Sequence, residues 1–137
     1  MGKLLGIDYG TKRTGLAITD ATQLIASGLT TVLTHDLDSF ISDLVSKEDI
    51  SSFVVGKPVN LDGSSTDSTS HVNRFIQRLK KKYPTISVHQ IDERFTSKIA
   101  KQSILSSGIK KQERQNKALV DKVSATIILQ NYLDYRS

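Results

Sequence analysis

Leu4-Leu-Gly-Ile-Asp-Tyr-Gly10, followed across Thr11-Lys-Arg13 by Thr14-Gly-Leu-Ala-Ile-Thr19, is the stretch on which the fold turns. Leu4 to Tyr9 is a short, mostly apolar run bounded by Gly10, which predicts a buried strand. Gly10-Thr-Lys-Arg13 is polar and suits a hairpin turn, so Thr14 to Thr19 reads as the returning strand. Leu24 to Leu33, rich in Ile, Val, Leu and Thr, extends this antiparallel meander by a third strand. Then the hydrophobic period changes. Leu37, Phe40, Ile41, Leu44 and Val45 recur at three and four, the spacing of an amphipathic helix. Ser52-Phe-Val-Val-Gly56 is another buried-strand signal, closed by Gly56 and Pro58. Val72, Phe75, Ile76 and Leu79 mark a second helix that Pro84 ends. The polar segment Gly63 to Ser70 before it reads as a flexible loop running into that helix. Ile86 to Ile91 is a strand, and Ile99 to Leu105 and Leu119 to Leu133 are helical, with Gly108 a cap between them.

The order is therefore β-β-β-α-β-α-β-α-α. It predicts an α/β fold with a mixed five-stranded sheet: an antiparallel meander, then parallel βαβα units, with helices on both faces. Residues 1–137 show no repeat and no linker, so one domain is expected. The chain has 137 residues, 19 Lys+Arg against 14 Asp+Glu, a net charge of +5 and no cysteine. Without cysteine there is no disulfide framework, thiolate zinc site or Cys nucleophile, which fits a reducing cytoplasm. The N-terminal stretch has no apolar run of secretory character, and no segment is long and apolar enough to span a membrane. The basic surplus points to a polyanionic partner, although charge alone speaks only to solubility and non-specific binding.

Open sheets of this kind place their sites at the carboxyl ends of strands, and acids fall there. Asp8 ends the first strand between Gly6 and Gly10; Gly6 admits a neighbouring strand or substrate, and Gly10 permits a sharp turn. Two readings stand for Asp8: a cap of the hairpin turn, or a carboxylate whose burial is compensated by a metal ion. Asp92-Glu93-Arg94 follows the last strand, as a solvated ion pair or as a second part of a site. Asp121 lies in the final helix, and Ala125, Ile128 and Tyr132 continue its stripe toward the sheet. An acid in a first helical turn also complements the helix dipole. Converging on one site, three carboxylates suit a hard cation, Mg²⁺ or Mn²⁺. A pair of such ions would support phosphodiester cleavage. Lys12, Arg13, Arg94, Lys110, Lys111, Arg114 and Lys117 stand near these acids in sequence and suit flanking phosphates.

Gly6-Ile-Asp-Tyr-Gly-Thr-Lys-Arg-Thr-Gly15, Asp92-Glu-Arg-Phe-Thr-Ser97 and Val120-Asp-Lys-Val-Ser-Ala-Thr126 closely resemble the signatures of the YqgF (RuvX-like) family. The resemblance runs over essentially the whole chain. It implies a ribonuclease-H-like fold and a nuclease that processes the 5′ end of pre-16S ribosomal RNA, with Holliday-junction resolution as an earlier description. It carries the roles of catalytic acid and metal ligand to Asp8, Glu93 and Asp121, with Asp92 ranked below Glu93. Val55-Gly-Lys-Pro-Val-Asn-Leu-Asp-Gly63 resembles the family's Gly-x-Pro loop, with Lys57 where a neutral residue is common. Lys12, Arg13 and Arg94 are the expected phosphate contacts, and precursor rRNA or branched DNA the expected partner.

Two other classes compete. Asp8-Tyr-Gly-Thr11 with Thr14-Gly15 resembles the first phosphate loop of actin-like and sugar-kinase ATPases, but those close two such domains around a nucleotide. A non-catalytic ribosome-assembly factor would bind nucleic acid through its basic residues alone. A resolvase would need two symmetry-related sites, and the sequence leaves monomer and homodimer open. Phe53, Phe75 and Phe95 read as core, Lys80 to Lys82 as a solvated helix end, and His35, His71 and His89 show no metal-site spacing. Tyr9 is the aromatic placed to touch substrate.

Overall fold

The computed structural model of the protein describes residues 2–57, 67–92 and 117–136. Its elements in chain order are β1 (Lys3–Asp8), β2 (Arg13–Thr19), β3 (Ala26–Leu33), a 3-10 turn (Thr34–Asp36), α1 (Leu37–Lys47), β4 (Ile50–Lys57), α2 (Asp67–Lys82), β5 (Ser87–Asp92) and α3 (Lys117–Arg136). The five strands form one sheet in the order β3-β2-β1-β4-β5. β1 pairs antiparallel with β2, and β2 with β3, while β1–β4 and β4–β5 are parallel. The mixed sheet is the one the sequence predicts, and the expected helix over Ile99 to Leu105 lies outside the described residues.

β1 sits in the middle and is covered on both sides, so its sequence is nearly continuous in apolar residues. Successive side chains alternate between faces. Leu5 and Ile7 join Phe53, Val55, Leu37, Ile41, Phe75 and Leu79 in the core beneath α1 and α2. Leu4 joins Ala17, Val54, Ala125, Ile128, Leu129 and Leu133 in the core beneath α3. Helices thus cover both faces, and each fully buried Leu, Ile or Phe contributes about 1.5–3 kcal/mol through removal from water. α2 buries the expected stripe of Val72, Phe75, Ile76 and Leu79. Its last backbone bond runs from the Tyr83 N–H to the Leu79 carbonyl, 2.8 Å, before Pro84 removes the donor.

Three expectations are corrected. The polar run predicted as a loop to Ser70 gives way at Asp67, where α2 begins; Ser, Thr and Asp favour helix N-termini as strongly as loops. β3 begins at Ala26, leaving Leu24 and Ile25 70% and 65% exposed in the preceding loop. There the Asp20 carboxylate accepts hydrogen bonds from the Thr22 hydroxyl and from the N–H groups of Leu24 (3.0 Å) and Ile25 (3.2 Å). Such local side-chain bonds compete successfully with strand pairing. Among the described residues Gln23, at φ 60°, is the non-glycine residue in the left-handed region, and its side-chain amide is held by the Gly2 carbonyl and the Ser51 hydroxyl.

The third correction concerns Gly6, which admits a helix and not a strand. A Cβ at Gly6 would lie 2.8 Å from the Leu129 Cβ and 3.1 Å from the Ala125 carbonyl oxygen. α3 also crosses β3, where the Ala26 N–H donates to the Gln130 Oε1 at 3.2 Å and Lys122 and Thr126 lie over Gly28. Along α3, residue numbers fall as those along β1 and β3 rise. The N-terminal end of α3 therefore lies toward the carboxyl ends of β1, β4 and β5.

Candidate nuclease active site

Asp8 is the last residue of β1. By strand alternation it shares the α3 face with Leu4 and Gly6. On that face its neighbour across the hairpin is Gly15, and on the other side Gly56 follows the Ile7–Val55 pair of β1 with β4. Neither neighbour has a side chain. The half-buried carboxylate consequently stands at the centre of the sheet's carboxyl edge between two glycines. A carboxylate so placed, with no side-chain bulk from either paired neighbour, fits a hard divalent cation. Residue patterning gave no reason to pair Gly15 and Gly56 with Asp8, because sheet register alone brings them together.

Asp121 belongs to α3, one turn before Ala125. Ala125 and Ile128 are fully buried and Tyr132 half-buried, so the predicted stripe does face the sheet. Gly6 lies against Ala125. Two residues along β1 from Gly6 to Asp8 advance about 6.6 Å, and four residues back along α3 from Ala125 to Asp121 retreat about 6 Å. The backbone at Asp121 therefore stands level with Asp8.

Asp92 ends β5 and is exposed. His89 stacks on Tyr132 of α3 at 5.0 Å between ring centroids, and Ile91 packs into the core beneath α3. Alternation then assigns Asp92 to the opposite face from Asp8. Glu93 and Arg94, together with residues 95–116 and the Gly-x-Pro loop from Pro58, lie outside the described residues. Among the described residues no group of three metal-ligating side chains stands together. The partners that the family signatures give Asp8 have side chains beyond them.

Lys12 is exposed in the β1–β2 turn, and Arg13 opens β2 opposite Leu33. Both cations thus lie at the same edge as Asp8. A Cβ on Gly10 would fall on the Arg13 carbonyl oxygen, which keeps this turn tight and its second residue glycine. Tyr9, expected near substrate, has its ring stacked on Phe75 at 4.6 Å and packs against the core beneath α2. The side chain follows strand alternation away from Asp8, so packing accounts for it.

The antiparallel meander, the two parallel additions and a helix laid across the central strand define a ribonuclease-H-like fold, with an acid at the carboxyl end of its middle strand. Two solved structures share it: Thermus thermophilus RuvC in complex with Holliday junction substrate, with a TM-score of 0.60, 13% identity and coverage of 99% of this chain and 96% of that one, and a second T. thermophilus RuvC structure, TM-score 0.54, 12% identity, covering 98% and 95%. The family model RuvX, described as Holliday junction resolvase, matches residues 2–135, and the chain belongs to that family. Relatives named "Putative pre-16S rRNA nuclease" include those of Bacteroides thetaiotaomicron, 48% identical over 98% of this chain and 97% of its own length, and of Phocaeicola vulgatus, 51% identical over 98% and 96%.

Proposed function

We propose that the protein is a metal-dependent endonuclease that hydrolyses phosphodiester bonds in structured RNA, processing the 5′ end of pre-16S ribosomal RNA. One observation carries this reading: relatives bearing that name are about half identical over nearly the whole chain. The position of Asp8 on the glycine-flanked carboxyl edge of β1 agrees with it. In this reading the enzyme is a hydrolase acting on ester bonds and works in the cytoplasm. Among the described residues no helix is long and apolar enough to cross a membrane.

Asp8, Glu93 and Asp121 would hold Mg²⁺ or Mn²⁺, as two ions. Such ions, when bound, lower the pKa of an attacking water and stabilise the leaving oxygen. Asp8 supplies the fixed carboxylate at the centre of the edge. Lys12, Arg13 and Arg94 neutralise phosphates on either side of the scissile bond and so set the register of the strand. The α3 contact at Gly6 fixes how far Asp121 stands from Asp8, which matters because catalytic geometry tolerates displacements well below 1 Å.

The family description favours a second substrate, a four-way DNA junction. A cleavage assay with Mg²⁺ and Mn²⁺, wild type beside Asp8→Asn, on a pre-16S 5′ segment and a four-way junction tests both. Cleavage of the RNA by wild type and not by Asp8→Asn supports the main reading. Cleavage of the junction alone, by a homodimer, transfers the activity to branched DNA. RNA binding by a monomer or dimer that never cleaves would make the protein an assembly factor.

A further inference from the structure

The turn from β1 into β2 exposes Thr11 and Lys12 at its tip. A polar surface turn of this kind ordinarily opens with little free-energy change. Here a residue distant in sequence holds it. The Thr34 hydroxyl donates to the Gly10 carbonyl oxygen at 2.6 Å, and the Thr34 N–H donates to the Lys12 carbonyl at 2.9 Å. The hydroxyl oxygens of Thr14 and Thr34 are 3.0 Å apart. Proton counting orients this last bond. A carbonyl only accepts, so the single hydroxyl proton of Thr34 goes to Gly10, and Thr14 must donate to Thr34. Thr14 is fully buried on β2, and Thr34 satisfies its hydroxyl. A relay thus runs from the interior of β2 through the start of the 3-10 turn to the β1–β2 turn.

We propose that Thr34 is a positioning residue of the nucleic-acid site: it clamps the Gly10–Lys12 backbone so that Lys12 is presented to phosphate beside Asp8. Thr34 would touch no reacting atom. Its two bonds fix the carbonyls on both sides of Thr11, and the close approach of Gly10 to the Arg13 carbonyl leaves the turn a single path. Without the clamp, Lys12 must be ordered on binding, and that ordering weakens affinity. The inference rests on the proposed nucleic-acid substrate.

The test compares wild type with Thr34→Val, which keeps the shape and backbone N–H but loses the hydroxyl, and with Thr34→Ser, which keeps the hydroxyl. Lys12→Ala and the Thr34→Val/Lys12→Ala double variant complete the set. Anisotropy of a labelled pre-16S 5′ segment across a salt series gives Kd, and steady-state cleavage gives KM and kcat. Thr34→Val is expected to raise Kd and KM about five- to ten-fold, through the loss of the hydroxyl's bond to the Gly10 carbonyl that holds the turn. It should leave kcat within about two-fold and lower the slope of log Kd against log salt by about one, the loss of one phosphate contact. Thr34→Ser should restore wild-type values, and Thr34→Val should add little to Lys12→Ala. A Thr34→Val protein with a lowered Tm but wild-type Kd, KM and salt slope overturns the clamp, as does full additivity with Lys12→Ala. Wild type that binds but never cleaves refutes the nuclease reading while Kd still judges the clamp; wild type that does not bind the RNA refutes both.

Discussion

Gly6→Ala places one methyl group between the strand that carries Asp8 and the helix that carries Asp121. The added Cβ would meet the Leu129 Cβ at 2.8 Å and the Ala125 carbonyl oxygen at 3.1 Å. Carbon atoms in contact prefer about 3.5–4.0 Å, so α3 must retreat by about 0.7 Å or more. Neither obstacle can rotate aside, since one is a Cβ fixed to the helix backbone and the other is main chain. Overpacking of this kind costs about 1–3 kcal/mol. Replacing glycine within a strand returns about 0.5–1 kcal/mol, which leaves a net loss of roughly 1–2 kcal/mol. For a chain of this size that lowers Tm by roughly 3–8 °C. The effect on cleavage should be larger, because a shift approaching 1 Å between catalytic groups costs on the order of 100-fold. Thermal unfolding followed by circular dichroism and single-turnover cleavage at saturating RNA measure the two effects. A Gly6→Ala protein that melts within 1 °C of wild type and cleaves at its rate would refute the claim that this contact sets the site.

Asp8→Asn should abolish cleavage with Mg²⁺ or Mn²⁺ while leaving Tm unchanged or raised, because in the proposed three-carboxylate site it removes a like charge; a folded variant with full activity refutes the proposed metal role of Asp8. The Asp20 carboxyl is pulled from 3.8 to about 2 by hydrogen bonds from the Thr22 hydroxyl and then from the Ile25 and Leu24 N–H groups. Its stabilisation is therefore fully present above about pH 4 and lost as the pH falls through about 2. Asp20→Asn should flatten the dependence of Tm on pH in that window, and an unchanged slope counts against the loop bonds. Phe75→Ala removes a fully buried ring that also supports Tyr9, so urea unfolding should show a loss of about 3–5 kcal/mol. A loss under 1 kcal/mol would mean the core beneath α2 recloses.

Residues with short-range signatures were legible in advance. The run ending at Asp8, the helical stripe through Leu37 and Ile41 and the stripe through Val72 and Leu79 all appear where the spacing puts them, because apolar periodicity reports directly on a strand or helix with a buried face. Asp8 was visible as a candidate for the same reason: a charge ending such a run needs an explanation. Leu24 and Ile25 misled because strand propensity is a weak preference, and the Asp20 carboxylate offers their N–H groups bonds that a neighbouring strand would otherwise supply. Tyr9 misled because adjacency to Asp8 in sequence means the opposite face in a strand. The clamp through Thr34 had no signal at all, since a threonine after a strand becomes specific only when the Gly10 carbonyl arrives beside it.

The amino-acid order fixes the periodicities, and with them the sequence of strands and helices, the buried character of β1, and the acids worth watching. These are properties of neighbours along the chain, set by local sterics and by which side chains must leave water. The face on which Asp8 lies with Gly15 and Gly56, the exclusion of Asp92 from that face, and the spacing of α3 from β1 came from the folded chain. They depend on register between strands and on the packing of α3 against Gly6, the latter a contact between residues more than a hundred positions apart. Periodicity carries no information about such distances, because the same stripe of apolar residues is satisfied by any surface it can bury.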